Sequence, residues 1–432
     1  MVKMKESGIG LLGLIPEDWK VTKLKYEFDF GKGLPITKDN LIEEGLPVIS
    51  YGQIHSKLNN GTSINPSLLR FVKPYYKFTN PQSQVFKGDF IFADTSEDLE
   101  GCGNAVLKCD EDDLYAGYHS IIMHAKRSEY SKYLAYLFLT NEWRSQLRSR
   151  VSGVKVLSVT QTIFKFASII LPPLETQKRI VDFLDRKCSK IDSLRNDIQK
   201  QIEVLEQYKK SVITETVTKG INPNVKMKDS GIEWIGEIPE HWEIHPIYYY
   251  FEERKHKNSL CKEQNLLSLS YGNVIRKDIN ALGGLLPESF NTYNIIEKDD
   301  IVIRPTDLQN DKRSLRTGLC KEHGIITSAY ITLKPKKNVN SQFYHYLLHS
   351  YDIEKVFYNM GNGVRQGLNY SEFKKLLLIS PTFDEQKNIV EYLDSKCLSI
   401  DNIINSKKQQ LEKLEEYKKS LIFEYVTGKR EV

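Results

Sequence analysis

Long apolar runs are missing from this sequence of 432 residues. A membrane-spanning helix needs about 20 consecutive apolar residues, and no stretch approaches that length, so no membrane-spanning helix is expected. The opening residues, MVKMKESGIG, lack the apolar core of a secretory signal. Cysteine is also scarce, because the chain has 6 cysteines and no C-x-x-C pair. We therefore expect free thiols and a cytoplasmic location.

Sequence signatures of catalysis are equally scarce. There is no G-x-x-x-x-G-K-[ST] loop, so nucleotide hydrolysis is not expected. The Asn-Pro dipeptides lack the second proline and the aromatic residue that an amino-methyltransferase site would carry. His345 and His349 have the spacing of a metal pair on a helix, but no third ligand is near, and a solvated or partly packed pair is the simpler interpretation. We predict no catalytic residues, cofactor or metal in this chain.

What the chain does contain is a heptad stripe across residues 178–218. No Gly or Pro interrupts this segment, and charged residues flank the apolar positions. Leu194 and Tyr208 are predicted to fill the intermediate positions of the seam. The stripe predicts one long helix, assigned to residues 175–222, that packs against a partner helix through Leu184, Ile191, Ile198, Leu205 and Val212.

The partner helix is predicted within the same chain, because the stripe recurs 209 residues later. Ile403 and Tyr417 take the intermediate positions, and Lys407 is one polar seam residue that would fix the register. Outer residues recur as well, which helix propensity alone would not preserve. The second stripe, in a helix assigned to residues 383–432, consists of Leu393, Ile400, Leu414 and Leu421.

The duplication extends to the rest of the chain. Each half opens with the same Gly- and Pro-containing lead, in which Trp19 and Trp242 are predicted packing anchors. Short strands follow, then an amphipathic helix (133–147 in the first half) and a closing strand (164–171 in the first half). The predicted fold class is mixed α/β (α+β), with two tandem globular domains and two long helices in an antiparallel coiled coil with pseudo-twofold symmetry. The predicted boundaries are 1–174, 175–222, 223–382 and 383–432.

The two halves differ in polar and basic loops, and the net charge of +5 permits a polyanionic partner. Such side chains read base edges and bind phosphates in DNA, although each one alone could equally lie on a solvated surface. Arg144 and Arg316 belong to the same polar loops and helix end. The candidate DNA-binding residues are Gln53, Lys57, Thr95, Ser96, Arg148, Lys155, Asn273, Arg304, Gln309, Asn310, Lys312, Arg313, Arg365 and Gln366.

These motifs together resemble the specificity (S) subunit of type I restriction–modification systems, over essentially the whole chain. The resemblance is carried by the repeated SGI-x5-IPE-x-W lead, the Tyr-Gly strand ends, the Gly-Val-Lys/Arg turns and the P-x3-TQK or P-x3-EQK helix starts. One departure is Thr176, where the family usually has Glu, as at Glu385.

The resemblance implies that each globular domain is a target recognition domain for one half of a bipartite site in double-stranded DNA. The helix pair would set the gap and dock two methyltransferase (M) subunits, which bind S-adenosylmethionine and methylate adenine N6. Restriction (R) subunits, translocases and nucleases that use ATP and Mg²⁺, would join them. Two other interpretations stay open: a coiled-coil interaction scaffold with no DNA role, and a self-contained methyltransferase or nuclease.

Overall fold

Internal contacts divide the chain into two units, each with its own sheets and core. Unit 1 comprises Met1–Ile198 and Gln409–Val432, and unit 2 comprises Gln199–Lys408. The computed structural model describes residues 3–279, 287, 289–306, 308, 315–360 and 367–432.

Unit 1 is built from short strands and helices. Its strands are β1 (Met4–Glu6), β2 (Leu14–Pro16), β3 (Lys20–Lys23), β4 (Phe28–Lys32), β5 (Leu46–Ile49), β6 (Arg70–Val72), β7 (Phe90–Ala93), β8 (Thr95–Ser96), β9 (Ala105–Leu107), β10 (Tyr115–Ala116), β11 (Ser120–Ala125), β12 (Leu157–Ser158) and β13 (Ser168–Leu171). Its α-helices are α1 (Leu24–Glu27), α2 (Tyr51–Ile54), α3 (Tyr76–Thr79), α4 (Ser131–Phe138), α5 (Asn141–Arg148), α6 (Gln161–Phe166), the first part of α7 (Leu174–Lys219) and the last part of α11 (Phe383–Val426).

Unit 2 has a comparable set of elements. Its strands are β14 (Met227–Asp229), β15 (Glu237–Pro239), β16 (Glu243–Pro246), β17 (Phe251–Glu253), β18 (Leu267–Ser270), β19 (Asn273–Arg276), β20 (Asn294–Ile296), β21 (Ile301–Ile303), β22 (Thr317–Leu319), β23 (Gly324–Ile326), β24 (Ile331–Pro335) and β25 (Leu377–Ser380). Its α-helices are the last part of α7, α8 (Ile247–Tyr250), α9 (Ser341–Ile353), α10 (Tyr370–Phe373) and the first part of α11. Short 3-10 helices cover Gly10–Leu12, Lys38–Asn40, Pro66–Leu68, Pro81–Ser83 and Ser128–Tyr130 in unit 1 and Val356–Met360 in unit 2.

One four-stranded antiparallel sheet forms the centre of each unit. Its order is β4-β11-β7-β9 in unit 1 and β17-β24-β21-β22 in unit 2, so the equivalent strands occupy equivalent places. The central strands β7 and β21 are short apolar runs with every residue buried, as a strand covered on both faces requires. Smaller pairings also match, because β3 pairs with β13 and β16 pairs with β25.

The two units differ in the sheets that surround this centre. Unit 1 has a three-stranded sheet, β10-β5-β6, in which β10 runs parallel to β5. At the corresponding stage of the chain, unit 2 has the antiparallel pairs β18-β19 and β20-β23. The two units therefore share the central sheet and differ in the strands that follow the Tyr-Gly dipeptide of each half (Tyr51-Gly52 and Tyr271-Gly272).

The long helices lie antiparallel within each unit. In unit 1 the ring of Phe183 lies 4.4 Å from the ring of Tyr425, and Asp192 binds Lys418 further along α7. The residue number thus rises on one helix as it falls on the other. In unit 2 the same relation holds where Lys209 of α7 binds Asp401 of α11. Both units thus contain the predicted antiparallel helix pair.

The phase of the seam differs from the prediction. Leu194, Tyr208, Ile403 and Tyr417 are 48%, 54%, 44% and 53% exposed, so they face away from the partner helix. The second buried series of the seam instead lies four residues after the first stripe. Its buried members Cys188 and Ile202 follow Leu184 and Ile198, and Cys397 and Ile404 follow Leu393 and Ile400. The sequence prediction of this series was wrong because the true positions include cysteines and ion-paired basic residues. The apolar or aromatic residues that look like seam residues stand one position earlier.

Two local predictions agree with the structure and two others are wrong. Trp19 and Trp242 are buried, as packing anchors should be. Lys407 donates to Gln201 of the opposite helix at 2.5 Å, a contact that fits a register-fixing role. The helix predicted across 133–147 is broken into α4 and α5, because Thr140 is in an extended conformation and caps Trp143. The strand predicted across 164–171 begins only at Ser168, since α6 occupies the preceding residues.

Candidate nucleic-acid interface

Polar segments of unit 1 meet where its strands end. The Gly117 amide donates to Ile49 (2.7 Å), and the Asp94 amide donates to the His119 carbonyl (3.2 Å). The Val159 amide in turn donates to the Asp94 carbonyl at 2.8 Å. We call this surface the edge of unit 1 and define it as residues 50–57, 94–100, 117–119 and 149–158.

Two predicted DNA-binding residues lie on the first segment of this edge. Gln53 belongs to α2, and its Oε1 atom accepts the Ser50 amide at 3.1 Å in a capping box. That bond fixes the side-chain amide with its Nε2 group available as a donor. Lys57 is exposed just beyond the helix. An oriented amide beside a lysine suits contact with a base and a phosphate.

The second segment of the edge follows strand β7. Thr95 is half-buried on β8, and its carbonyl accepts from the His55 ring at 2.8 Å. Ser96, also predicted to bind DNA, is buried and donates to the Asp98 carbonyl at 2.7 Å. Its hydroxyl therefore stabilises the turn of residues 96–98 and does not face solvent.

The arginines of α5 stabilise the loop that continues from the second segment of the edge. Arg144 Nε donates to the Phe138 carbonyl, and Nη1 donates to Asn104 Oδ1, both at 2.7 Å. Burial lowers the pKa of Arg144 to about 10, which leaves the guanidinium charged at neutral pH. Arg148 Nη2 donates to the Glu100 carbonyl at 2.9 Å. Both residues brace the loop at 99–104, and Lys155 is the exposed cation of the last segment.

The edge of unit 2, which we define as residues 270–273, 304–306, 315–316 and 367–369, has a different backbone. Tyr271 (φ 47°) and Gly272 (φ 78°) form the two-residue turn of the β18–β19 hairpin, a conformation that favours Gly at the second position. Asn273 is exposed directly after this turn. Half-buried Arg304 directly follows β21, and the carbonyl of the next residue, Pro305, accepts the Leu368 amide at 2.7 Å.

Arg316 is a buried structural residue, although the sequence suggested a surface loop. Its side chain is fully buried, and its Nη1 group donates to the carbonyls of Arg304 (3.3 Å) and Thr306 (2.5 Å). Its backbone amide donates to Asp352, whose carboxylate is also buried. Arg316 therefore holds the two sides of the loop base together. Six further candidates, Gln309, Asn310, Lys312, Arg313, Arg365 and Gln366, lie outside the described residues.

One cluster on the edge of unit 1 was missed by the sequence argument. The exposed His119 has a positive φ of 53°, and its Nδ1 atom lies 3.4 Å from Asp94 Oδ1. The ring of Tyr51 lies 5.4 Å from that of His119. The signal that could have revealed these residues is their position: Asp94 directly follows β7, and His119 directly precedes β11.

The histidine pair of α9 is partly buried. Burial lowers the pKa of both His345 and His349 to about 4; the charge of His349 adds to the effect at His345, and Lys210 and Lys209 add to it at His349. The rings are therefore neutral at pH 7. Across the described segments, no group of three or more His, Cys, Asp or Glu residues could hold a metal ion, and no helix there is long and apolar enough to cross a membrane.

Two copies of one α/β frame, with a different polar edge on each, define a duplicated recognition protein. The chain belongs to the family described as the type I restriction modification DNA specificity domain, whose model matches residues 16–204 and 290–416. It functions in DNA sequence recognition within a type I restriction–modification complex.

Individual relatives agree with this assignment. The chain is 26% identical over 430 residues to the putative type I restriction enzyme MjaX specificity subunit of Methanocaldococcus jannaschii, which covers 97% of this chain and 95% of that protein. It is also 26% identical over 441 residues to the MjaVIII specificity subunit of the same organism, covering 96% and 93%.

Solved structures share the fold. One, from work on complex assembly and conformational transition of the type I R-M system, matches with a TM-score of 0.69 at 15% identity and covers 96% of this chain and 99% of that one. The crystal structure of the HsdS subunit from Thermoanaerobacter tengcongensis gives a TM-score of 0.51 at 16% identity, with coverage of 96% and 98%.

Proposed function

We propose that each unit reads one half of a bipartite site in double-stranded DNA through its edge, with recognition domains at 1–174 and 223–382. The observation that carries this proposal is an equivalent backbone bond in the two units. The Val159 amide binds Asp94 in unit 1, and the Leu368 amide binds Pro305 in unit 2. The same frame thus presents two different sets of polar groups, which suits two related but different DNA sequences.

We further propose that the helices, with their flanking residues 175–222 and 383–432, set the unread gap between the half-sites. The two helices contain 46 and 44 residues, so each is about 65–70 Å long. Half-sites one DNA turn apart are separated by about 34 Å. The length of the helices is therefore compatible with a fixed spacing between two DNA-reading units.

The exposed apolar residues of the helices support the docking of two methyltransferase subunits. Leu194 and Tyr208 on α7 are as exposed as their repeat equivalents Ile403 and Tyr417 on α11. Apolar positions spaced by multiples of seven suit a packed helix of another protein. Because the stripe occurs once in each repeat, the expected stoichiometry is two copies of one partner for each specificity subunit.

Catalysis is assigned in this proposal to the partner subunits. The methyltransferase subunits would supply S-adenosylmethionine binding and adenine-N6 methylation, and restriction subunits would supply ATP- and Mg²⁺-dependent translocation and cleavage. The described cysteines are free thiols, which supports the proposed cytoplasmic location.

The test is to co-express the chain with its methyltransferase subunit and map methylated adenines across a host genome. We expect a split motif with a fixed gap. A continuous motif would mean that only one unit reads DNA. No new methylation in an assembled complex would favour a scaffold without a DNA role.

The proposed spacing role has its own experiment. One helical turn inserted between Lys200 and Gln201 should alter the gap and leave both half-sites unchanged. Replacement of Gln309 or Arg313 by Ala should alter one half-site and leave the gap unchanged. A constant gap in the insertion variant would contradict the spacing role.

A further inference from the structure

Unit 1 carries a second basic surface beside its edge. We call it the lysine–aromatic patch and define it as Lys23, Lys25, Tyr26, Lys165 and Phe166. The Nζ atoms of Lys23 and Lys25 lie 5.6 Å and 5.0 Å from the centroid of the Phe166 ring. Lys25 Nζ also lies 5.0 Å from the Tyr26 ring. Both rings are well exposed, at 46% and 62%, so cations and aromatic faces are presented together to solvent.

The positive charge of this patch is not compensated. Nearby carboxylates are paired with other lysines, because Glu27 binds Lys20 at 3.2 Å and Asp29 binds Lys126 at 3.4 Å. Throughout the described part of the chain, Lys23, Lys25 and Lys165 form no ion pair with a carboxylate. Lys165, one residue before Phe166 on α6, has its Nζ atom 5.6 Å from the ring of Phe30 on β4. Three ammonium groups without a carboxylate partner, carried by adjoining elements, favour an anionic ligand.

Two elements lead from the edge of unit 1 to this patch. Helix α6 starts directly after Thr160, beside the last edge segment, and ends with Phe166 in the patch. Strand β4 pairs with β11 so that Lys32 faces Ile121, next to the edge, whereas Phe28 faces Ala125. Six helical residues span about 9 Å, and four strand steps span about 13 Å. At about 3.4 Å per nucleotide of one strand, the separation corresponds to about three or four phosphates.

We propose that the lysine–aromatic patch binds the phosphate backbone of the DNA that flanks the half-site read by unit 1. This inference rests on the proposed function of the edge. Phosphate contacts fix the position of a protein on DNA but carry no sequence information. The aromatic rings hold the flexible lysine head groups in place through cation–π contacts, which prepares them for an anion.

Unit 2 provides an internal contrast. The registers of β3 with β13 and of β16 with β25 are equivalent, so Lys23 corresponds to Pro246. By the same alignment, Lys25 and Tyr26 correspond to Tyr248 and Tyr249. Unit 2 therefore has two exposed tyrosines here but lacks two of the three patch lysines. The salt-dependent contacts with flanking DNA are accordingly concentrated on unit 1.

The test compares salt dependence of DNA binding for complexes of the full chain with its methyltransferase subunit. The variant is Lys23→Gln, Lys25→Gln and Lys165→Gln, and the probe is a duplex containing the methylation motif mapped for the wild type. The matched control, Lys3→Gln, Lys38→Gln and Lys73→Gln, removes the same charge from exposed lysines elsewhere on unit 1 that also lack a carboxylate partner within the described residues. A third variant with arginine at the three patch positions keeps the charge.

We expect the slope of log affinity against log salt to become shallower by about 2 to 3 in the patch variant, because each lost phosphate contact removes about 0.9. Between 50 and 200 mM salt, the wild type would then lose about 40-fold more affinity than this variant. The control and arginine variants should keep the wild-type slope, and the methylation motif should stay the same.

Three results would overturn the inference. One is an unchanged slope in a folded patch variant, and another is an equal change in the matched control. The third is weaker assembly with the methyltransferase subunit at an unchanged slope, which would make the patch a protein interface. In each of these cases, sequence-specific DNA binding by the wild-type complex would still support the proposed function. If the wild-type complex did not bind its motif, the proposed function itself would be contradicted.

Discussion

Units 1 and 2 agree where side chains support the frame. Tyr136 donates to Asp185 of α7 at 2.5 Å, and Tyr346 donates to the equivalent Asp394 of α11 at 2.7 Å. The central sheets share one strand order. These matched contacts connect the globular part of each unit to a long helix. The two units therefore share the frame on which their different edges are built.

The units differ at the same landmark in their sequences. Tyr51 and Gly52 begin helix α2 in unit 1, because Ser50 and Gln53 form a capping box. The same dipeptide, Tyr271-Gly272, makes a hairpin turn in unit 2 with positive φ at both residues. The comparison teaches that a conserved dipeptide need not keep its conformation. The neighbouring residues decide the backbone of each edge.

An arginine bonded within the protein supports the edge of each unit, but it comes from a different element in each; Arg144 is half-buried and Arg316 is fully buried. Arg144 of α5 reaches Asn104 in unit 1, whereas Arg316 in unit 2 lies close to the buried Asp352. A guanidinium offers five donors, which suits a loop base rich in carbonyl groups. The two units have therefore reached the same kind of support with different residues.

The largest expected effect comes from breaking the support of unit 2. Asp352→Ala leaves the buried Arg316 without its carboxylate, and removal of one partner of a buried pair costs about 3–5 kcal/mol. The loss should appear as faster hydrogen exchange in unit 2. The repeat alignment that pairs Tyr136 with Tyr346 also pairs Glu142 with Asp352. Glu142→Ala, the matched change in unit 1, removes only a favourable charge in the first turn of α5 and should cost less than about 1 kcal/mol. Equal losses in both variants would contradict this account.

A second contrast should appear on acidification. Burial holds the folded pKa of His345 and His349 at about 4, below the usual histidine value of 6.5. As pH falls below about 6.5, the unfolded chain gains protons that the folded unit 2 cannot accept. The stability from these rings is complete above that pH and is lost toward pH 4. For His345 the loss is about 3 kcal/mol.

The control for this pH effect comes from unit 1, which has Ala135 and Leu139 at the corresponding positions. A variant with His345→Ala and His349→Leu should lose less stability between pH 7 and pH 4.5 when unfolding is followed by denaturant titration. An unchanged pH dependence in this variant would show that other groups govern acid unfolding.

Matched effects are expected from the shared tyrosines. Tyr136→Phe and Tyr346→Phe each remove a hydrogen bond to a carboxylate, which contributes about 1.5–3 kcal/mol in a typical protein. Because the accepting carboxylates are half-exposed, we expect both hydrogen bonds to contribute near the lower end of this range. Hydrogen exchange should report similar losses, each in its own unit. A loss in one unit only would break the equivalence of the frames.

The smallest effects should come from the ion pairs of the long helices. Asp192 with Lys418 and Asp401 with Lys209 are repeat-equivalent pairs, with shortest distances of 2.6 Å and 2.7 Å. Asp192→Lys should destabilise unit 1, and adding Lys418→Asp should recover about 0.5–1 kcal/mol. The same exchange at Asp401 and Lys209 should behave alike in unit 2. Failure of both double variants to recover stability would mean that the pairs contribute little.

The sequence permitted prediction of the frame because repetition and periodicity are visible in it. The heptad stripe predicted both long helices, and the recurrence of the stripe identified the duplication. The phase of the seam was not accessible in the same way. Leu194 looks like a seam residue, but the ion-paired Lys209 actually occupies a seam position. Such a pair can be recognised only when the opposite helix is known.

The sequence indicated the segments of the candidate site but not the state of each residue within them. Basic and polar types indicate that a loop is suited to DNA, but they do not show which groups are already bound within the protein. Ser96 and Arg316 are buried, and Arg144 binds backbone and Asn104. Asp94 and His119 were overlooked because neither belongs to a recognisable motif. Their proximity arises from the ends of two paired strands.

The most direct test of the central claim uses the equivalent positions Gln53 and Asn273. Methylated adenines would be mapped across a host genome that expresses the methyltransferase subunit with the wild type, with Gln53→Ala or with Asn273→Ala. The account predicts a split motif in which each variant relaxes or changes only one half, a different half for each variant, at a constant gap. A variant that altered both halves together would contradict the assignment of one half-site to each unit.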